Sequence, residues 1–163
     1  MNEVTNTEEI KSEANKEPKK AQKKRSKKGK VIIVTAKRKT AIARAYAKEG
    51  TGIIKINKRS INVIKPDILK DFILEPVRLT DYTSELASKL DISINVKGGG
   101  FSAQAQAARA AIARVLVEYS DNKSLIELYK DYDRYLLIND YRRVEPKKYL
   151  GTKARARFQT SYR

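Results

Sequence analysis

The chain has 163 residues and a formal net charge of +17, and it contains neither Cys nor His. A chain of this length fits one domain with tails, and so strong a positive charge indicates a polyanionic partner, most simply nucleic acid. Disulfides, Cys-based zinc sites and the usual general base are excluded, and no apolar run reaches the ~20 residues that span a bilayer. We therefore expect a non-catalytic cytoplasmic protein with no metal, no cofactor and no membrane partner.

Residues 1–30 divide into an acidic part and a basic part. Met1–Glu17 holds five Glu and two Lys, whereas Pro18–Lys30 holds eight Lys or Arg and no acidic residue. Neither part carries the apolar residues that build a core, so we expect a disordered extension. The Glu residues also argue against a transit peptide.

Residues 31–138 carry the patterns of a globular domain of the α+β class. In the run Asp91–Lys97, apolar and polar residues alternate strictly, which predicts a half-buried strand with Ile92, Ile94 and Val96 facing inward. Four earlier strands are predicted to form an antiparallel meander joined by hairpins. Their ranges are 31–35, 40–48, 53–56 and 61–64.

Helical spacing of apolar residues occurs in several segments. The longest predicted helix is 101–119, whose apolar stripe runs from Phe101 to Tyr119 and whose back is lined with Ala, which favours a bulky partner close to it. A helix over 65–75 should be stopped by Pro76. The remaining segments are an irregular helix within 77–89, a short helix capped by Ser124 and ending near Lys130, and an apolar piece at 135–138.

Gly98-Gly99-Gly100 joins the predicted strand to the longest helix. Two interpretations stay open, namely a tight turn without ligand, or an anion site at the free N–H groups of the first helical turn. The basic corner Lys37-Arg38-Lys39 could be a solvated loop. The other basic clusters of the chain favour a contact with phosphate instead.

The last segment, Asn139–Arg163, carries eight Lys or Arg and two acidic residues, a net charge of +6. It has no sustained apolar periodicity, and Pro146 and Gly151 would interrupt a helix. We predict an extended basic arm that contributes nothing to the core and becomes ordered on a polyanion.

The end of this segment alternates Arg with aromatic residues. Arg155, Arg157 and Arg163 interleave with Phe158 and Tyr162, and guanidinium groups bind phosphates while aromatic rings stack on bases. A solubility tail would need neither Arg nor aromatic rings. Asp131 and Asp133 could be imagined as metal ligands, but we expect them to be caps and surface charges.

The same residues also form a series of motifs in a fixed order over about residues 31–163. This series resembles the universal ninth protein family of the small ribosomal subunit, and the Ser-Tyr-Arg ending is similar to its archaeal and eukaryotic branch. The motifs are Ala36-Lys37-Arg38-Lys39-Thr40-Ala41, Gly50-Thr51-Gly52, Leu74-Glu75-Pro76, Val96-Lys97-Gly98-Gly99-Gly100, Asp140-Tyr141-Arg142-Arg143-Val144-Glu145-Pro146-Lys147-Lys148-Tyr149 and Ala154-Arg155-Ala156-Arg157-Phe158-Gln159-Thr160-Ser161-Tyr162-Arg163.

The resemblance implies a two-layer α/β sandwich like the second domain of ribosomal protein S-five, with long extended basic tails. It implies a place in the head of the small subunit, with ribosomal RNA and neighbouring ribosomal proteins as partners. It also implies that Arg163 and Tyr162 contact peptidyl-site tRNA. The residues implied to bind ribosomal RNA are Lys37, Arg38, Lys39, Gly98, Gly99, Gly100, Arg109, Arg142, Arg143, Lys147, Lys148, Arg155, Arg157 and Phe158.

Three features depart from the family pattern, and two other functions remain open. Tyr141 stands where the family usually has Pro, so the bend at the start of the arm could differ. The family's Gly-rich stretch is here Leu150-Gly151-Thr152-Lys153, with one glycine, and the extension 1–30 has no counterpart. The alternatives are a chromatin or RNA-chaperone protein that works through basic tails, and an RNA-processing enzyme built on Asp or Glu.

Overall fold

A computed structural model describes residues 31–159 and residue 161, so the predictions for residues 1–30 lie outside it. The described residues form an α+β fold with a five-stranded sheet and four helices. Short 3₁₀ turns occur at Ile61–Val63 and Arg134–Leu136. The strands are β1 (Ile32–Arg38), β2 (Ala41–Glu49), β3 (Ile54–Ile56), β4 (Arg59–Ser60) and β5 (Leu90–Lys97), and the helices are α1 (Asp67–Arg78), α2 (Asp81–Ser88), α3 (Phe101–Ser120) and α4 (Lys123–Tyr132).

The sheet is not the meander that the sequence predicted. Its strand order is β1-β2-β5-β3-β4, so β5 lies between β2 and β3. β5 pairs antiparallel with β2 and parallel with β3. The physical reason is that β5 carries an unbroken inward row of apolar residues, and the centre of the sheet is where such a row is best buried. The segment containing α1 and α2 makes the crossover from β3 to β5.

The loop between β2 and β3 follows from this strand order. It is not a hairpin but folds against the start of β5. The backbone N–H groups of Thr51 and Ile53 donate to the Asp91 carboxylate over 2.9 Å and 3.2 Å. These hydrogen bonds lower the pKa of Asp91 below its ordinary value, and the bond from Thr51 has the largest effect. The predicted strand 61–64 is also wrong, because Ser60 caps the 3₁₀ turn there.

One face of the sheet is buried and the other is exposed. Residues alternate between buried and exposed along β1, β2 and β5, and the four Ala residues of β2 are at most 1% exposed. α3 packs against β1, β2 and β5 on the buried side. Its Ile112 and Leu116 are fully buried, and each such side chain contributes about 2 kcal/mol of transfer free energy.

The predicted apolar stripe of α3 is correct in its middle and wrong at its start. Phe101 is 74% exposed because the first turn of the helix extends beyond the buried layer. On the back of the helix, Ala107 and Ala113 are fully buried. The bulky partner there comes from the chain itself, since α3 also contacts α1, α4 and the 3₁₀ turn Arg134–Leu136.

Two helix boundaries and the regularity of one helix differ from the prediction. α1 continues through Pro76 to Arg78. Pro76 removes one backbone hydrogen bond, but it lies two residues before the helix end, so only a short piece of helix follows it. α2 is a regular helix opened by a capping box between Thr80 and Thr83. Asn122, and not Ser124, caps α4, as its side chain accepts from the Ser124 N–H. Among the described helices, none combines the length and the apolar character that crossing a membrane requires.

The turn from β5 into α3 needs glycine at two of its three positions. Gly98 and Gly99 have φ of +73° and +68°, and a Cβ on Gly99 would lie 2.9 Å from the Ala41 Cβ. A Cβ on Gly98 would lie 2.6 Å from the Thr40 carbonyl oxygen. Gly100 has an ordinary φ of −92° and open space around it. The geometry of Gly98 and Gly99 is explained by the turn and its close approach to the β1–β2 hairpin.

This difference predicts opposite outcomes for two neighbouring substitutions. Gly99→Ala should lower the free energy of unfolding by about 2 kcal/mol, because it combines a left-handed backbone with a steric clash. Gly100→Ala should change it by less than ~0.5 kcal/mol, since a weaker N-cap is offset by a less flexible unfolded chain. Urea unfolding of the full-length proteins measures both. Equal effects at the two positions would contradict this account of the turn.

Candidate nucleic-acid interface

The first residues of the C-terminal arm (139–142, here called the root) are held against the globular domain (31–138, here called the body) through Asp140. This residue is 8% exposed, and its carboxylate accepts hydrogen bonds from the backbone N–H and the guanidinium of Arg142 over 2.7–3.1 Å. Arg38 forms a second ion pair with it at 3.2 Å. Arg38 also donates to the Gln106 side chain and to the Arg142 carbonyl. One carboxylate therefore connects β1 to the arm, and Arg38 extends this link to α3.

The edge strand β1 makes further hydrogen bonds to the same segment. The Lys37 N–H donates to the Asn139 side chain over 3.1 Å, and Arg114 of α3 donates to the same oxygen over 2.8 Å. Arg38 and Asp140 form a parallel β-bridge. These bonds cover the end of an edge strand that would otherwise present unpaired backbone groups.

The charges in this cluster stabilise one another. Hydrogen bonds from the Arg142 guanidinium, and then from its backbone N–H, lower the pKa of Asp140 from 3.8 to about 2, against the opposing effect of burial. The same contacts raise the pKa of Arg142. The Arg142 guanidinium also lies 4.8 Å from the centre of the Tyr135 ring, within cation–π distance.

Two of the predicted RNA-binding arginines, Arg38 and Arg109, are largely covered where they make intramolecular ion pairs. The Arg109 side chain is 11% exposed and lies 2.6 Å from Glu75 and 2.7 Å from Asp133, with its guanidinium over the Phe72 ring. The Arg38 side chain is 15% exposed in the cluster described above. These contacts give both residues a role in holding the fold. Asp133, considered above as a metal ligand, pairs with Arg109 and caps the turn Arg134–Leu136.

The other described basic residues on the predicted list are exposed. Arg142 keeps 61% of its side chain accessible although it pairs with Asp140. Arg155 is 86% exposed and pairs with Glu145 at 3.0 Å. In the arm, Tyr149 and Phe158 are 93% and 64% exposed, so aromatic rings accompany the charges. The remaining exposed residues of the predicted set are Lys37, Lys39, Arg143, Lys147, Lys148 and Arg157.

The described part of the arm is not uniformly extended. Gly151 and Arg157 form an antiparallel bridge, and the Lys153 N–H donates to the Ala156 carbonyl. This local turn is stabilised by few hydrogen bonds. It bends the arm, and most of the residues around it stay exposed. Tyr162 and Arg163, the predicted tRNA contacts, lie outside the described residues.

Comparison with known proteins decides the family. Residues 36–163 match the family described as "Ribosomal protein S9/S16". The chain belongs to this family. It is 44% identical over 133 residues to the small ribosomal subunit protein uS9 of Halobacterium salinarum, covering 82% of this chain and 99% of that protein. The protein of the same name from Thermoplasma volcanium is 46% identical over 132 residues, covering 81% and 98%. These relatives are named as ribosomal proteins and not as enzymes.

Sequence reasoning missed the residues that hold the arm of this S9/S16 family member. Asn139, Gln106 and Arg114 were not singled out as contacts of the arm, and Asp140 was named only as part of a family motif. A signal for Asp140 was present, since an acidic residue in a strongly basic segment and two residues before Arg142 favours a local pair. Its second partner, Arg38, is 102 residues away in sequence, and no local pattern predicts that contact.

The Asp140 cluster predicts a specific pH dependence. A carboxyl whose pKa is lowered on folding stabilises the protein above its unfolded pKa, and this stabilisation is lost as the pH falls. The free energy of unfolding of wild type should therefore exceed that of Asp140→Asn by a constant amount above pH 3.8. The difference should shrink as the pH falls towards about 2.

The matched control is Asp71→Asn, which removes a carboxylate from the exposed ion pair with Arg78. Exposed pairs contribute ~0–1 kcal/mol, so this variant should remain close to wild type at every pH. Urea unfolding of the three full-length proteins over a series of pH values gives the comparison. A pH-independent difference for Asp140→Asn would show that its carboxylate charge is not what fastens the arm.

Proposed function

We propose that this chain is a structural constituent of the small ribosomal subunit, in its head. The body and arm bind ribosomal RNA there, next to neighbouring ribosomal proteins, and the C terminus contacts peptidyl-site tRNA. The observation that carries the proposal is an exposed arm rich in Arg, Lys and aromatic rings, fastened at its root in a chain of the S9/S16 family. The proposal includes a two-layer α/β sandwich like the second domain of ribosomal protein S-five, and the support for it is a described sheet whose helices pack on one face.

The proposed mechanism is electrostatic and needs no reading of base sequence. Cations of the arm neutralise phosphates that RNA folding brings together, and aromatic rings add stacking surfaces. The exposed residues Lys37, Lys39, Arg143, Lys147, Lys148, Arg155, Arg157 and Phe158 are the proposed RNA contacts. Arg142 shares its guanidinium between Asp140 and RNA. Arg38, Arg109, Gly98 and Gly99 act through the fold, and Gly100 contributes an accessible helix start.

A ribosomal constituent and an RNA chaperone differ in how firmly they are held. We expect the full-length protein to sediment with the small subunit after a high-salt wash, because its contacts are enclosed by folded RNA. A chaperone bound through basic tails would dissociate as salt competes for its phosphate contacts. Sucrose-gradient sedimentation of cell extract at rising salt, followed by detection of this chain, gives the answer. Its appearance in the soluble fraction at high salt would contradict the proposal.

The tRNA contact has a separate test. Deletion of Arg163 removes a charge-assisted hydrogen bond of about 1.5 kcal/mol and should weaken peptidyl-site tRNA binding about tenfold. Assembly of the subunit should be unchanged, since the deletion leaves the body and the root of the arm intact. Lys123→Gln removes the same charge from α4 and serves as the control. Wild-type tRNA affinity in subunits that lack Arg163 would refute the assigned contact.

A further inference from the structure

The face of the sheet opposite the helices has no covering layer among the described residues. Its outward positions hold Ile33, Ile42 and Tyr46, which are 61%, 39% and 43% exposed. The register places Tyr46 between Ile33 of β1 and Ser93 of β5. An aromatic ring therefore stands in the middle of an open sheet surface, two residues along β2 from the exposed Arg44.

An open groove of about 490 Å³ runs beside this ring. Lys55 of β3 lies opposite Ser93, and Lys97 ends β5 two residues after Asn95. Lys58 stands in the turn between β3 and β4 with φ of +69°, next to Asn57. Three lysines thus line the groove, and its volume is within the ~300–1,000 Å³ that is typical of ligand-binding clefts.

The walls of this groove are fixed by backbone hydrogen bonds. The Asn57 side chain accepts from the Val96 N–H over 2.8 Å and donates to the Val96 carbonyl over 3.2 Å. The Asn57 N–H donates to the Ile94 carbonyl. These bonds hold the β3–β4 turn against β5, so Lys58 lines the groove from a backbone that is fixed to the sheet.

The charge of the groove favours one class of partner. Among the described residues that line it, Lys55, Lys58 and Lys97 are cationic and none is acidic. Ser93 and Asn95 are exposed on its floor and supply hydroxyl and amide groups that can hydrogen-bond base edges. An aromatic ring, phosphate-binding cations and polar side chains together fit an unpaired RNA segment. A protein partner would need acidic groups at three positions to match the same surface.

We propose that the open sheet face is a second RNA-binding surface, where a base stacks on Tyr46 while Lys55, Lys58 and Lys97 contact the flanking phosphates. The inference rests on the proposed function and extends it to a surface separate from the arm. RNA bound there would lie against the sheet, and RNA bound by the arm would approach the root at Asp140. The body would then be held between two RNA elements rather than anchored on one side.

The test compares lysine acetylation in the free full-length protein and in the purified small subunit. Lys55, Lys58 and Lys97 should react in the free protein and lose that reactivity in the subunit. Lys123 and Lys130, which are exposed on α4, report on lysines that the proposal leaves unaffected. Ultraviolet irradiation of the same subunits, followed by mass spectrometry, should place nucleotide adducts on the peptide that contains Tyr46.

The outcomes separate this inference from the proposed function. Protection of the three groove lysines together with nucleotide adducts on the Tyr46 peptide supports the second surface. Protection without adducts, with amine cross-links from these lysines to another protein, would overturn it in favour of a protein partner. Full reactivity of the groove lysines, with Lys147 and Lys148 of the arm protected, would overturn it and leave the proposed function intact. Reactive lysines on both surfaces would remove the support for both.

Discussion

The buried carboxylate of Asp140 determines how the body and the arm of this protein act together. It is the acceptor shared by Arg38 on the edge strand β1 and by Arg142 in the arm, and Arg38 is held in turn by Gln106 of α3. A strongly cationic arm would otherwise be repelled by a cationic body. One acidic residue at the junction turns that repulsion into a local attraction and fixes the place from which the arm leaves.

This arrangement gives the positive charges two different roles. Arg38 and Arg109 are covered and make ion pairs with Asp140, Glu75 and Asp133, so their charge stabilises the fold. The exposed Lys and Arg residues of the arm and of the open sheet face have no such enclosure, and their charge is available to phosphates. Burial, more than residue type, distinguishes the arginines that build the protein from those that would bind RNA.

Local patterns in the sequence predicted the elements better than their arrangement. The alternation in β2 and β5 and the periodicity of α3 were sufficient to place those elements within a few residues, because burial of one face makes apolar residues recur at the period of the strand or helix. The position of β5 between β2 and β3 depends on long-range strand pairing, which produces no such local pattern. The capping box at Thr80 and Thr83 was readable and was missed, while the burial of Ala107 and Ala113 under the chain's own segments required the tertiary structure.

Held to the globular domain through Asp140, the arm is expected to take the path that the surrounding RNA gives it. A cryo-EM map of the native small subunit tests this most directly. The account predicts that the chain lies in the head, with residues 139–142 against β1 and the rest of the arm surrounded by ribosomal RNA as far as the peptidyl site. A map in which the arm folds back onto its own body, or in which the chain is absent from the small subunit, would contradict it.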